Sequence, residues 1–283
     1  MKYIFIIFFL VFSCSTKPSE GNGRNSYNEI NLPSTNGDSY TIPSGYSLAW
    51  SDEFNGSLID LGNWNYDTGA WGWGNNEWEN YTDNGTGGNN AFVTDGMLVI
   101  KAIKTTGWPG GYTSARMKTQ GKRYWKQGII VARLILPFGK GIWPAFWMLG
   151  TNITTVNWPK CGEIDIMEMI GGDTVNESTT YGTLHWGEDY SSHVYQGSSF
   201  KNSEPLWKNW HYYEAEWNSS NITLKFDGYI VFSKDVSSLS IYFDHPFFII
   251  LNIAVGGSWP GYPDSTTTFP QYMFVDWVRV YQK

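Results

Sequence analysis

Within the segment CGEIDIMEMIGG, Cys161 to Gly172, Glu163, Asp165 and Glu168 are separated by apolar residues alone, Ile164, Ile166 and Met167. Acids that face water usually have polar neighbours, so this spacing asks for another reason. Alternation predicts a strand, with Glu163 and Asp165 on one face and Ile164 and Ile166 turned to a core. Glu168 is out of phase and would point inward. One extra residue, a β-bulge near Met167, restores the phase and puts all three acids on one face. Glu163 and Glu168 then lie about four strand steps apart, roughly 13 Å between Cα atoms. Two Glu side chains leaning together close most of that gap, toward the roughly 5–5.5 Å of a retaining glycosidase. Asp165 is shorter and sits between them, placed to hydrogen-bond Glu163. Three acids this close cannot all ionise cheaply, so at least one is expected to hold its proton above the usual range. A proton donor beside an ionised nucleophile is what two-step glycoside hydrolysis requires.

Two blander readings compete. A Ca²⁺ loop would add Asn, Gly turns and backbone carbonyls, and an alternating strand makes a poor one. A solvated strand face would leave the flanking aromatics unexplained. Trp143 and Trp147 in IWPAFWML are four apart, so a strand puts them on one face, where indoles can floor a sugar site; Phe146 is the candidate for the core. His185 follows one hairpin later and is expected to bond sugar hydroxyls or Glu168. Asn75, Asn76 and Glu77 follow a Gly-Trp-Gly loop, and amides suit sugar hydroxyls. Arg116 in TSARMKT offers a rigid donor fork, and Trp259 in GGSWPG suits a rim platform.

The elements that must position these groups are short and β-rich. LILPFGKG, ITLKFDGYIVF, FFIILNIAVGG and FVDWVRVYQK alternate with turn residues, and Asp95-Gly96 and Asp227-Gly228 mark tight turns. No segment sustains a helical period. From about Tyr40 to Lys283 the texture predicts one all-β domain, a sandwich or barrel, acting as a monomer. The chain of 283 residues carries a net charge of −7, which argues against nucleic-acid or anionic-membrane partners. Its aromatic content is 18%, with 16 Trp and 18 Tyr, which suits either sugar platforms or a ring-rich β core.

The N-terminus reads as a processing segment. Lys2 precedes an apolar run from Tyr3 to Phe12, too short to span a bilayer as a mature helix. Val11-Phe12-Ser13-Cys14 is similar to a bacterial lipobox, although Phe12 stands where a small residue is usual; a plain signal peptide is the alternative. Lipidation is expected at Cys14, with residues 1–14 as the signal, 15–39 as a flexible polar linker and 40–283 as the folded domain. That implies a chain exported to the cell envelope and held at the outer membrane through its lipid. A disulfide between Cys14 and Cys161 is not expected.

Together these motifs resemble glycoside hydrolase family 16. GEIDIME matches the bulged form of its signature, Glu-x-Asp-x-x-Glu. SDEFNG, GWGNNEWENYT, SARMKT, WPAFWML, TLHWG and NIAVGGSWPG come in the order of laminarinase-like members. The resemblance implies a jelly-roll β-sandwich, concanavalin A-like, with a concave cleft and retention of anomeric configuration. It implies Glu163 as nucleophile, Asp165 as its partner and Glu168 as acid/base, with no cofactor for catalysis. It places Asn75, Asn76, Arg116, Trp143, Trp147, His185 and Trp259 on substrate. It also implies a structural Ca²⁺ held by Asp276 and the backbone carbonyls of Glu53 and Gly96. The substrate it implies is β-1,3-glucan, with mixed-linked β-1,3/1,4-glucan, agar- or carrageenan-type polysaccharides, transglycosylation and non-catalytic glucan binding as alternatives. Trp78 and Glu79 depart from the Leu-Gln pair common in laminarinases.

Overall fold

A computed structural model describes residues 31–83, 90–106 and 110–283. The expected signal segment, Cys14 and the expected linker up to residue 30 lie outside the described residues. The strands are β1 (Ser47–Asp52), β2 (Asn65–Asp67), β3 (Glu79–Tyr81), β4 (Ala91–Thr94), β5 (Met97–Lys104), β6 (Tyr112–Ser114), β7 (Arg116–Lys118), β8 (Gly128–Ile135), β9 (Ile142–Gly150), β10 (Glu163–Glu168), β11 (Thr179–Trp186), β12 (Val194–Lys201), β13 (His211–Trp217), β14 (Asn221–Phe226), β15 (Tyr229–Asp235), β16 (Phe247–Val255) and β17 (Gln271–Gln282). They build two sheets. The seven-stranded sheet runs β12-β11-β10-β9-β16-β7-β2. The ten-stranded one follows β15-β14-β13-β8-β17-β5-β6-β3, with β1 added beside β17 and β4 beside β5.

The main core lies between the sheets. Ile130, Leu134 and Val278 from one sheet join Phe146, Met148, Ile164, Ile249 and Leu251 from the other, all excluded from solvent. The period of two decides which side chains of β9 take part: Ile142, Phe146 and Met148 face inward, while Trp143 and Trp147 stay half-buried on the opposite face. Each large apolar side chain fully buried contributes about 1.5–3 kcal/mol. β16 is apolar on both faces except at Asn252. Phe248 and Ile250 join Leu149 and Cys161 in a small outer cluster, on which Trp147, Ile153 and Trp158 pack. Both Asp-Gly pairs close two-residue hairpins, Thr94 against Met97 and Phe226 against Tyr229, with all four turn residues at positive φ.

The domain begins earlier than the expected linker boundary at residue 39. Thr35–Lys283 form one compact unit. The Thr35 carbonyl accepts from Arg133 Nη1 at 2.7 Å, and Asp38 accepts from Arg279 Nη1 at 2.9 Å and from the Tyr212 hydroxyl at 3.0 Å. A polar composition therefore does not mean a free segment here: the Thr35 and Asn36 carbonyls and Asp38 have fixed partners on the ten-stranded sheet.

Candidate active site

β10 lies between β9 and β11, and its register carries the chemistry. Against β9, Glu163 pairs with Leu149, Asp165 with Trp147, Met167 with Phe146 and Glu168 with Ala145. The ladder skips Ile166, which is the extra residue of a β-bulge. Leu149, Trp147 and Ala145 are alternate residues of one strand, so all three acids share the outer face with Trp143. Ile164, Ile166 and Met167 are all buried below. Magnitudes explain the bulge. Losing a ladder hydrogen bond costs about 0.5–1.5 kcal/mol. An unbulged strand would drive the Glu168 carboxylate into an apolar core, at several kcal/mol even after relaxation.

The acids line a cleft of about 310 Å³ on the seven-stranded sheet. Each has its own support. Glu163 Oε2 accepts from the Trp158 indole at 3.0 Å, and Glu168 Oε1 from the Trp143 indole at 3.0 Å. His185 stands opposite Glu163 on β11, its Nε2 3.1 Å from Asp165 Oδ2 and 3.9 Å from Glu163 Oε1. Its other nitrogen meets His193 Nε2 at 2.8 Å.

Burial pushes Glu163 up to about 8, with Asp165 and Glu168 raising it further and His185 and the Trp158 indole pulling it down. Burial and the Asp165 charge likewise push Glu168 up to about 8. Asp165 is raised well above the usual carboxylate range by burial, and it shares a hydrogen bond with Glu163. One proton between Asp165 and Glu163 makes that bond possible and leaves the pair a single negative charge. The Trp158 indole N–H and His185 favour charge on Glu163, and His185 Nε2 lies nearer still to Asp165, so the one charge is shared across the pair. Glu168 lacks the Asp165 bond and keeps its proton. Glu163, Asp165 and His185 also offer three ligand atoms within 4.8 Å of one another. A divalent cation there would take up the negative charge of Glu163 and Asp165.

The remaining expected residues divide. Asn75, Arg116, Trp143 and Trp147 line the cleft. One face of Trp147 is covered by the Arg116 guanidinium at 4.7 Å, and its indole N–H goes to Asn252 Oδ1 at 2.8 Å, so it is less open as a platform than expected. Arg116 lies between Trp147 and Trp73, with Nε on Asp67 at 3.0 Å. Trp259 is 42% exposed at the rim, edge-on to Trp143 and Tyr181. Two expectations are corrected. His185 serves the Asp165 side of the triad instead of Glu168, because β11 pairs it with Glu163 while Tyr181 takes the place beside Glu168. Asn76, at φ 61°, turns its amide to Ser258 Oγ at 2.8 Å and does not line the cleft.

Sequence reasoning missed Trp73, Trp158, Tyr190 and Asn252, all of which line the cleft. Asn252 carried a readable signal, as the lone polar residue of the apolar strand β16. Trp158 lies five residues before Glu163 and returns to it across a turn. Trp73 sits at φ 48° between Gly72 and Gly74, also at positive φ, a path that alternation cannot reveal.

The residues expected to hold Ca²⁺ fall at adjoining strand ends of one sheet. Along one edge of β17, β5 pairs as far as Val275 and β1 starts at Val278, so Glu53 and Gly96 end beside Asp276. Asp276 is itself the extra residue of a bulge against β8. Its Oδ2 pairs with Arg133 at 2.6 Å, which leaves one carboxylate oxygen and the two carbonyls as donors. All are oxygen, as Ca²⁺ prefers.

A two-sheet sandwich bearing a cleft with paired carboxylates and tryptophans defines a carbohydrate-active protein. The profile described as Glycosyl hydrolases family 16 matches residues 77–279, and the chain belongs to that family. It is similar to the Beta-glucanase of Rhodothermus marinus, 37% identical over 84% of this chain and 85% of that protein. It also resembles the Glucan endo-1,3-beta-glucosidase A1 of Niallia circulans, 35% identical over 85% of this chain, although it spans only 38% of that protein's length. Among solved structures, the laminarinase catalytic domain of Thermotoga maritima superposes with a TM-score of 0.75 at 44% identity, covering 84% of this chain and 98% of that one.

Proposed function

We propose that the protein is a retaining endo-glycosidase that hydrolyses β-1,3-glucan and also accepts mixed-linked β-1,3/1,4-glucan. The observation that carries this reading is the bulged register placing Glu163, Asp165 and Glu168 on one cleft face. The names of the Rhodothermus, Niallia and Thermotoga relatives support the substrate. In the first step Glu168 gives its proton to the glycosidic oxygen while Glu163 attacks the anomeric carbon. The bond to the leaving sugar breaks and a glycosyl ester forms. Glu168, now a carboxylate, then takes a proton from water, whose oxygen displaces Glu163 and releases a product of the original configuration. Asp165 shares its hydrogen bond with Glu163 and holds it in line.

A neutral substrate fits the cleft's charge. Arg116 is the basic residue among those lining it, and it is already paired with Asp67, against four lining acids, Glu77, Glu163, Asp165 and Glu168. Sulfated polysaccharides would meet repulsion there. Incubation with laminarin should release short oligosaccharides with new reducing ends. Product from agarose or carrageenan but none from laminarin would reject the substrate and keep the mechanism.

A structural Ca²⁺ between Asp276 Oδ1 and the carbonyls of Glu53 and Gly96 belongs to this proposal. It would tie the ends of β1 and β5 to β17. Added Ca²⁺ should raise the melting temperature, chelation should lower it, and Asp276→Asn should lose the response; equal melting in all cases would refute the ion. Export and lipid attachment at Cys14 complete the reading and bring the domain to extracellular glucan. Fatty-acid labelling of the wild type but not of Cys14→Ser is the expected outcome, and an unlabelled wild type would refute the anchor.

A further inference from the structure

A second pair of buried carboxyls lies beside the cleft, on the segment where Glu79 departs from the family pattern. Glu79 is 0% exposed, and its Oε2 accepts from the Val255 backbone N–H at 2.6 Å. Its Oε1 is buried and receives no N–H or O–H among the described residues. The neighbour there is the carboxyl of Glu77. Glu77 accepts at both oxygens, from Asn75 Nδ2 at 2.8 Å and from the Tyr81 hydroxyl at 3.2 Å. The donor count therefore assigns the charge to Glu77 and a proton to the bare oxygen of Glu79.

We propose that Glu79 is a positioning residue: as a neutral acid it donates a hydrogen bond to Glu77 and so keeps Asn75 and the Trp73 loop shaped for substrate, a hold that alkaline medium releases. This rests on the glucanase reading above. Glu77 lines the cleft, and the Asn75 carbonyl further accepts from the Ser258 N–H at 2.8 Å, so movement of Glu77 reaches the sugar-binding wall directly. Burial and the Glu77 charge both hold the Glu79 proton well above the usual range. The other groups facing the pair do not change that assignment. Arg116 favours the Glu77 charge, and its partner Asp67 is also paired with Lys118. Tyr81 gives its proton to Glu77, and Tyr112, opposite Glu79 on β6, is itself held neutral by burial. Once Glu79 ionises, two carboxylates touch in a dry site, where like charges repel strongly.

Glu79→Gln supplies the test, because a carboxamide presents a donor to Glu77 and an acceptor to Val255 without titrating. KM for laminarin and the melting temperature are measured for both chains from weakly acid to alkaline pH. In the wild type, KM should climb by up to about tenfold per pH unit once Glu79 loses its proton. In Glu79→Gln it should stay flat, while kcat keeps the alkaline limb set by Glu168. The folded chain holds the Glu79 proton at pH values where the unfolded chain has released it, so wild-type stability falls as pH rises through that window. The variant should lack that share of the slope. Parallel KM and melting profiles would overturn the proposal, as would a Glu79→Gln chain that fails to fold where the wild type folds. If neither chain cleaves laminarin, the glucanase reading fails, while the melting comparison still decides the role of Glu79.

Discussion

Replacing Glu163 by serine should lower kcat on laminarin by about four orders of magnitude or more, roughly 5 kcal/mol of lost barrier reduction. Serine is too short to reach the anomeric carbon from β10, and it lacks the carboxylate that the Trp158 indole and His185 stabilise. The fold should survive, because the substitution removes a buried carboxylate. Burial lifts the Glu163 proton affinity to about 8, so ionising this group within the fold costs stability as pH rises from the ordinary Glu value toward 8. Glu163→Ser should therefore melt no lower than the wild type at weakly alkaline pH. Unchanged laminarin breakdown would remove Glu163 from the mechanism.

Glu168→Ala should separate two kinds of substrate. On laminarin the leaving sugar needs a proton, and loss of the acid should cost about 10²–10⁴-fold. On an aryl glycoside with a good leaving group the first step should be largely spared, and the glycosyl ester should accumulate because no base remains to activate water. Equal losses on both substrates would contradict the acid/base role. On this proposal the same residue should set the alkaline limb of the wild type. Glu168 must be protonated at the start of the reaction, and burial holds it up to about 8, so kcat/KM should fall as pH rises through that value. The acid limb should then belong to the Asp165–Glu163 pair, which on this mechanism carries one negative charge before attack.

The acid strand was legible because three acids in an apolar run conflict with strict alternation, and one bulge removes the conflict at small cost. The skipped Ile166 lies beside the expected Met167, and Trp143 and Trp147 share the acid face as their spacing requires. The two-residue hairpins followed from Asp-Gly chemistry. What stayed hidden was contact between strands distant in sequence. Nothing local shows that His185 faces Glu163, which depends on the β10–β11 register. Nothing local shows that Asn76 turns to Ser258, 182 residues away. The segment around Asp38 read as linker because composition reports average polarity, whereas the fold supplied Arg133, Tyr212 and Arg279 as specific partners.

The most direct test of the central claim is mass spectrometry of the chain after reaction with a fluorinated β-glucoside that forms the glycosyl ester quickly and releases it slowly. The account predicts one added sugar, located by peptide mapping on Glu163. A sugar on another residue, or first-formed laminarin products of inverted configuration, would contradict it.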